Sequence, residues 1–484
     1  MSELLEGSLI DASAALDRGD VSAVELCRAA LDRIEASRTT LGMVISLRAD
    51  AALAQAEAID RRRSTDEPLG ALAGIPLMHK DMFYRRGEVT TCGSAIRREW
   101  RATTTATVVE RLDGAGALDL GRLNMAEFAV GLTGHNVHYG DCRNPWTPAH
   151  ITGGSSSGSG AVTAARCVFG ALGSDTGGSI RLPATVNGVV GLKPTQTRVS
   201  RAGAMPLSPS LDCIGPLARR VADAARLYDV IAGADTRDPT SSHRTVPSAE
   251  AACRQGARAG LDGVRVGVAR TYFEDDLDPE VAALLSAARR QLEALGADIV
   301  EIDTTDVAAF AQLQTLLMGG EASTLHFAWL RDRFGEYSPQ VRARLLPGLA
   351  YPATAYRLAA SLRPDLTRAF IDATFARCDV LHTATLALPA PTLDETRTAD
   401  GPEMAAMIMR LGRCTRPVSY LGLPALTVPM GFTANGLPSG CQLVGRPFGE
   451  ARLFQVAGAY EAATGFHRQR PPFAAPLEPS RARP

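Results

Sequence analysis

The sequence predicts an α/β fold: a single large α/β/α domain whose helices cover both faces of a mixed, mostly parallel central sheet. Two observations support this prediction. Short apolar segments typical of strands alternate with amphipathic helical segments along most of the 484 residues. No low-complexity linker, long charge run or internal repeat divides the chain, and its 45% hydrophobic content suits a large buried core.

The first half of the chain begins with helical signals. Ser22 and Glu25 form a capping-box pattern for a helix that runs to about Ser37, and an alanine-rich stretch predicts a second helix at 50–62. The other elements predicted in this half are a strand at 74–80, helices at 105–112, 159–168 and 217–232, and a strand at 117–120.

The second half continues the alternation of strands and helices. Its predicted strands lie at 264–269, 297–302, 379–384, 425–428 and 440–444, and its predicted helices at 279–295 and 452–464. The tail from 471 is rich in Pro and Arg, and its last residues are expected to be disordered.

Composition excludes several classes of function. The net charge of −1 gives no electrostatic footprint for nucleic acid, and no apolar run is long enough to span a membrane. Nine scattered cysteines without a C-x-x-C pair favour reduced thiols in a cytoplasmic protein, and the N-terminus lacks the features of a signal peptide. His135 and His138 lack an obvious third ligand, so neither a metal site nor a cofactor is predicted.

The segment from Thr152 to Pro183 is the strongest candidate for a functional site. It places two Gly-Gly-Ser turns, 153–155 and 177–179, at the ends of one apolar stretch, with their serines 24 positions apart. Glycine lets the backbone turn tightly and lets a ligand approach it, and successive N–H groups in such turns can stabilise an anion. A hydroxyl group beside these donors is what acyl transfer requires.

Lysine usage gives a second clue. Lys80 and Lys193 are the only lysines in the sequence. A desolvated lysine can act as a base, whereas arginine keeps its proton. Lys80 ends an apolar run that reads as a buried strand; the alternative is a loop lysine paired with Asp81. Lys193, which precedes a proline, is interpreted as structural.

Other interpretations of the Gly/Ser segment fit less well. A P-loop requires a lysine after its glycines, and a dinucleotide fingerprint that starts at Gly158 would have Thr163 in its third glycine position. A nucleophile elbow centred on Ser156 lacks a preceding strand, and no histidine lies in an obvious catalytic context. A flexible linker would not contain an apolar helix.

Taken together, these motifs resemble the amidase signature family. The matching stretches are GIPLMHKDMF (74–83), GGSSSGSGAVTAA (153–165), GSDTGGSIRLPA (173–184) and GVVGLKPT (188–195). The resemblance extends over nearly the whole chain. It implies that regions 1–65, 66–235, 236–400 and 401–470 are N-terminal helices, catalytic core, variable substrate side and C-terminal return of one domain.

The resemblance also implies catalytic roles. Ser179 would be the nucleophile, Ser155, after a cis peptide bond, would relay protons, and Lys80 would be the base. The backbone N–H groups of the oxyanion hole would belong to Thr176, Gly177, Gly178 and Ser179. Three further residues would support the site: Ser156 through hydrogen bonds, and Asp175 and Arg181 as an ion pair that frames the loop.

The substrate implied is a small-molecule amide, with a carbamate or urea derivative as the alternative. The A subunit of glutamyl-tRNA amidotransferase, which releases ammonia from glutamine with partner subunits, is disfavoured, because Gly412 stands where that protein has a carboxylate for the substrate amine. A non-catalytic binding protein would have lost one of the three catalytic residues. A homodimer is left open.

Departures from the family pattern concern the pocket. Arg410, Arg413 and Arg416 are the nearest charges to Gly412; Arg416 is a candidate for a substrate carboxylate, with a surface ion pair as the commoner alternative. His79, before the lysine, and Ser419, in place of the usual Asn, also depart from the pattern. The other pocket candidates are Met125, Leu132, Cys213 and Ile214.

Overall fold

Eleven strands form one mixed sheet within the residues that the computed structural model describes, which are 5–304, 307–397 and 401–474. In chain order the strands are β1 (Val44–Leu47), β2 (Pro76–Lys80), β3 (Leu118–Leu123), β4 (Gly170–Asp175), β5 (Val190–Lys193), β6 (Cys213–Ala218), β7 (Arg265–Val268), β8 (Asp298–Glu301), β9 (Val380–Ala384), β10 (Ala425–Phe432) and β11 (Pro438–Gly445). Across the sheet their order is β1-β3-β2-β4-β6-β5-β10-β11-β9-β7-β8.

Fifteen α-helices accompany the sheet in these ranges. They are α1 (Leu9–Arg18), α2 (Ala23–Leu41), α3 (Ala49–Ser64), α4 (Thr107–Gly114), α5 (Ser157–Ala164), α6 (Arg181–Asn187), α7 (Val221–Ile231), α8 (Ala249–Ala259), α9 (Pro279–Ala294), α10 (Val307–Asp332), α11 (Pro339–Leu349), α12 (Ala353–Phe375), α13 (Gly401–Leu411), α14 (Arg416–Tyr420) and α15 (Glu450–Thr464). The predicted capping box of α2 is present, since Ser22 and Glu25 each accept the other's backbone N–H.

The α/β class and the single mixed sheet are confirmed. Parallel pairs form two blocks, β3-β2-β4 and β9-β7-β8, while the pairs from β4-β6 to β11-β9 are antiparallel, as is β1-β3. Parallel pairing therefore covers less of the sheet than the sequence predicts. The reason is that β5 leads to β6, and β10 to β11, without an intervening helix that would return the chain for a parallel pair.

Helices pack on both faces of the sheet, as predicted. In β4, a Cβ added to Gly170 would point at Leu227 of α7, whereas one added to Gly173 would point at Ser156 at the start of α5. In β11, the Cβ of Gly445 would meet Leu453 of α15 and that of Gly440 would meet α6. Since side chains an odd number of residues apart point to opposite faces of a strand, α7 and α15 cover one face and α5 and α6 the other.

Two differences from the predicted elements concern the strands next to the Gly/Ser segment. The helix expected at 217–232 begins only at Val221, because 213–218 form the buried strand β6. Strand β4 is absent from the predicted elements, since glycine and serine are poor strand formers. Its glycines are nevertheless required by packing: a Cβ on Gly173 would lie 2.7 Å from Ser156 Oγ, and one on Gly170 would lie 2.6 Å from Leu227 Cδ1.

The disorder predicted for the end of the tail concerns residues 475–484, which lie outside the described residues. None of the described helices combines the length and the apolar composition that crossing a bilayer would require.

Candidate active site

The two Gly-Gly-Ser turns lie side by side. The first precedes α5 and the second connects β4 to α6, so the packing of α5 against β4 and α6 brings them together. The backbone N–H of Ser156 donates to the carbonyl of Ser179 at 3.2 Å and joins the turns directly. The Gly154–Ser155 peptide bond is cis, as the resemblance implied.

Close packing explains the glycines of the first turn. Gly153 has a φ of +67°, and a Cβ on it would lie 2.8 Å from the nitrogen of Pro183. A Cβ on Gly154 would lie 2.8 Å from the carbonyl oxygen of Gly131. The Gly154 N–H also donates to the carbonyl of Leu132 at 2.8 Å, so the turn is fixed against the 131–133 loop.

Strand β2 places Lys80 beneath these turns. Lys80 Nζ donates to Ser155 Oγ at 2.7 Å and to Ser174 Oγ at 2.8 Å, and the side chain is fully buried. No described carboxylate lies within ion-pair distance of Nζ, so the alternative of a loop lysine paired with Asp81 is wrong. Burial lowers the pKa of Lys80 from 10.5 to about 7, although Asp212 and Asp175 oppose the shift.

Lys193 has different surroundings. Its Nζ donates to the carbonyl of Pro194 at 3.1 Å and to Cys213 Sγ at 3.6 Å. In the described part of the chain its hydrogen bonds reach neither turn, which agrees with the structural role predicted for it.

The second turn is held by its carbonyl groups. The carbonyl of Thr176 accepts from Gln314 Nε2 at 3.0 Å, and that of Gly177 accepts from Thr415 Oγ1 at 2.7 Å. Among the described residues, no hydrogen-bond acceptor faces the N–H groups of Gly177 and Ser179. These two amides are free to bind an anion.

Gly178 does not fit the predicted oxyanion hole. Its N–H donates to Asp175 Oδ1 at 2.8 Å, so the amide is already paired with a carboxylate. Its φ of +132° and a Cβ position 2.5 Å from Thr415 Oγ1 show that the residue is required for the shape of the turn. Of the four amides that the sequence suggested for an oxyanion hole, that of Gly178 is therefore already occupied.

The predicted ion pair between Asp175 and Arg181 frames this turn. Arg181 Nε and Nη2 donate to the two carboxylate oxygens at 3.0 and 2.9 Å, and both side chains are fully buried. Although burial raises the pKa of Asp175, the Arg181 charge outweighs it and holds the pKa at about 2. Arg181 also donates to Ser419 Oγ, Gln442 Oε1 and the carbonyl of Thr415, which ties the frame to β11 and α14.

Ser156 makes hydrogen bonds of the kind expected for it. Its hydroxyl accepts from the N–H of Ser174 and donates to the Ser174 carbonyl, both at 3.2 Å. Since Ser174 Oγ accepts from Lys80, these bonds place β4, the first turn and the lysine in one network.

The apolar pocket candidates occupy different positions. Leu132 touches the first turn through its carbonyl, while Met125 lies near it and accepts from Asn136 Nδ2. Ile214 is opposite Ser174 in the β4–β6 pairing, so both side chains are on the same face of the sheet. Cys213 is on the other face, against Lys193.

Arg416 is not the surface ion pair that was the commoner expectation. It is 3% exposed, and its Nη1 donates to Thr315 Oγ1 at 2.9 Å and to Met409 Sδ at 2.7 Å. A Cβ on Gly412 would lie 2.6 Å from Arg416 Nε, so the guanidinium group occupies the space beside that glycine.

His79 lies apart from the turns, and burial lowers its pKa to about 4. Sequence reasoning missed Gln314, Thr415 and Arg344, which lie on or beside helices around the second turn. The sequence signal for Gln314 is that it is a polar residue in an apolar helix, which is weak evidence for a buried functional position.

Comparisons place the chain among known proteins. A family model described as Amidase matches residues 25–454. The A subunit of the glutamyl-tRNA(Gln) amidotransferase of Symbiobacterium thermophilum is 39% identical over 480 residues, which cover 94% of this chain and 96% of that protein.

Two solved structures share the fold. One, described as an unexpected vestigial protein complex that reveals the evolutionary origins of an s-triazine catabolic enzyme, superposes with a TM-score of 0.87 at 34% identity and covers 95% of this chain and 99% of its own. Native peptide amidase from Stenotrophomonas maltophilia gives a TM-score of 0.82 at 32% identity, with 96% and 98% of the two chains covered.

Proposed function

This chain belongs to the amidase family, and from that premise we propose that it hydrolyses the C–N bond of a small-molecule amide through an acyl-enzyme on Ser179. The observation that carries the proposal is the position of Lys80. Its Nζ is 2.7 Å from Ser155 Oγ, in a turn that is bonded directly to the turn of Ser179. A lysine with a pKa of about 7 is half neutral at neutral pH and can act as a base.

In the first step, Ser179 Oγ attacks the carbonyl carbon of the amide. Its proton passes to Ser155 Oγ, and the Ser155 proton passes to neutral Lys80. The negative charge that develops on the substrate oxygen is stabilised by the N–H groups of Gly177 and Ser179. Because Gln314 and Thr415 hold the carbonyls of this turn, its amides need little reorganisation during the reaction.

In the second step, the relay runs in reverse. Lys80 returns a proton through Ser155 to the leaving nitrogen, the C–N bond breaks, and an ester with Ser179 remains. Water then attacks this ester, gives its proton to the relay, and releases a carboxylic acid and free Ser179. The same groups could cleave a carbamate or urea-type bond. The pocket therefore determines which acyl group the substrate carries.

A second candidate is the A subunit of a glutamyl-tRNA amidotransferase. The observation that favours it is the 39% identity to proteins of that name over almost the whole chain. Against it stands Gly412, which occupies the position where that subunit has the carboxylate for the ammonium group of glutamine, and the space beside Gly412 is filled by the buried Arg416. Glutamine hydrolysis that needs added partner subunits would favour this second role.

The proposal is tested with a fluorophosphonate probe and mass spectrometry. We expect one probe per chain, attached at Ser179, and no labelling of Ser179→Ala. Ser159→Ala is the matched control, since this buried serine donates to the Leu172 carbonyl at 2.9 Å and has no role in the relay. Absence of labelling in the unchanged protein, or labelling that persists in Ser179→Ala, would contradict the mechanism.

A further inference from the structure

The outer side of the second turn is lined by side chains from α10 and α14. A Cβ added to Gly177 would lie 3.1 Å from Gln314 Nε2 and 3.7 Å from Arg416 Cγ. Both side chains therefore lie directly against the residue whose amide is offered to the oxyanion. A group that binds here is adjacent to the reacting carbonyl.

Arg416 is a buried cation with neutral partners. Its hydrogen bonds go to a hydroxyl and a thioether, and no described carboxylate lies within 4.0 Å of its guanidinium group. A buried charge without a counter-charge is costly, so a group that is buried this way is expected to have a partner that binds later.

A second guanidinium group belongs to Arg344 on α11, which packs against α10, the helix that supplies Gln314 and Thr315. Arg344 Nη1 is buried and has no hydrogen-bond partner among the described residues. Burial lowers the pKa of Arg344, and the neighbouring charge of Arg416 lowers it further. Two cations thus share one region in which the described residues provide no carboxylate to either of them.

Gly412 has no side chain and so leaves room for the Arg416 side chain. A Cβ on Gly412 would lie 2.6 Å from Arg416 Nε and 3.1 Å from its Cδ. Gln314 adds an unpaired acceptor, because its Oε1 is buried and has no donor among the described residues. The region therefore offers guanidinium donors and one amide oxygen.

We propose that Arg344 and Arg416 bind a carboxylate of the substrate. The substrate class is then the amides that carry a carboxylate and lack a neighbouring ammonium group. This inference rests on the proposed amide hydrolysis. Guanidinium groups match carboxylates in shape and charge, and the bound anion supplies the missing counter-charge. An ammonium group beside that carboxylate would be repelled by the two cations, so it is disfavoured.

The test compares three primary amides in the complete protein. They are glutaramate, pentanamide, which has the same carbon chain without the carboxylate, and glutamine, which is glutaramate with an α-amino group. We expect kcat/KM for glutaramate to exceed that for either of the others by about 10- to 100-fold, as for a hydrogen-bonded charge. Arg416→Gln and Arg344→Gln should remove most of this preference, because each should lower kcat/KM for glutaramate much more than kcat/KM for pentanamide.

Arg342→Gln is the matched control. Arg342 lies on the same helix as Arg344 but packs over the Phe334 ring, 4.9 Å from its centroid, so its loss should keep the preference for glutaramate. If none of the three amides is turned over, their protection of Ser179 against the fluorophosphonate probe gives the same comparison.

Three results separate this inference from the proposed function. Equal kcat/KM or equal protection by glutaramate and pentanamide, in a protein whose Ser179 is labelled, overturns the carboxylate site alone. A preference that survives in both Arg416→Gln and Arg344→Gln also overturns it. Failure of Ser179 to react with the probe overturns the amide hydrolysis on which the inference rests.

Discussion

The second turn has two sides that are built differently. On the inner side, Lys80 and the two serine turns come from strand ends and tight backbone bends, and the groups in contact are hydroxyls, amides and one amine. On the outer side, Gln314 and Arg416 come from helices far apart in the chain. Changes on the inner side should therefore affect every substrate, whereas changes to Arg416 should depend on the charge of the substrate.

The largest effect is expected at the inner side. Lys80→Met should lower kcat/KM for any amide by about 10⁴-fold or more, since members of a catalytic unit are lost together. Lys80→Arg should be equally inactive, because arginine cannot give up its proton. Lys193→Met, which changes the second buried lysine, is the control. The hydrolysis rate of this variant should stay within a few-fold of that of the unchanged protein. Comparable losses in both Met variants would remove the distinction between the lysines.

The largest effect on the free energy of unfolding is expected at the buried Asp175–Arg181 ion pair, which lies between the two sides. Arg181→Met would leave Asp175 as an unpaired buried carboxylate and should lower the free energy of unfolding by about 3–5 kcal/mol, as measured by denaturant titration. Arg331→Met breaks an ion pair with Asp332 at 2.6 Å whose partners are both exposed, so it should leave the free energy of unfolding nearly unchanged. Similar losses of unfolding free energy in the two variants would contradict a larger contribution from the buried ion pair.

A smaller effect is expected where the outer side supports the turn. Thr415→Val removes the hydroxyl that donates to the Gly177 carbonyl and should lower kcat about 5- to 30-fold for charged and neutral amides alike, as for a loss of 1–2 kcal/mol. Thr324→Val removes a similar bond to Gly320 on exposed α10 surface and should have no such effect. A loss confined to charged substrates would assign Thr415 to substrate binding.

The smallest effect should appear at Gly412. Gly412→Ala pushes the flexible end of Arg416 aside and should raise KM for glutaramate about fivefold, as for roughly 1 kcal/mol, with pentanamide unchanged. Steady-state kinetics with both amides checks this. An equal change for both would mean that the added methyl group disturbs the turn itself.

The inner side could largely be predicted from sequence, and the outer side could not. Lys80, Ser155 and Ser156 lie in dense local motifs whose spacing carries their geometry. The pairing of the Gly178 amide with Asp175 depends on where the carboxylate points, which no motif records. Gln314 is a single polar residue of α10, and only the packing of that helix against the second turn gives it a role.

Strand β4 shows that prediction of the fold from sequence has the same limit, because contacts between distant elements are not visible in the sequence. Its glycines and serines argue against a strand, but the close approach of α5 and α7 from both faces requires small residues there. Local propensity is overridden by packing between elements that are distant in sequence.

The central claim is that Lys80 is neutral when the enzyme works, and two lysines in the whole sequence make its pKa directly measurable. ¹³C-lysine labelling should give two side-chain signals in an NMR titration, assigned with Lys193→Met. We predict that the Lys80 signal titrates near pH 7 and that kcat/KM rises with pH over the same range, since the neutral amine is the active form. A Lys80 that stays protonated up to pH 10 would contradict the account.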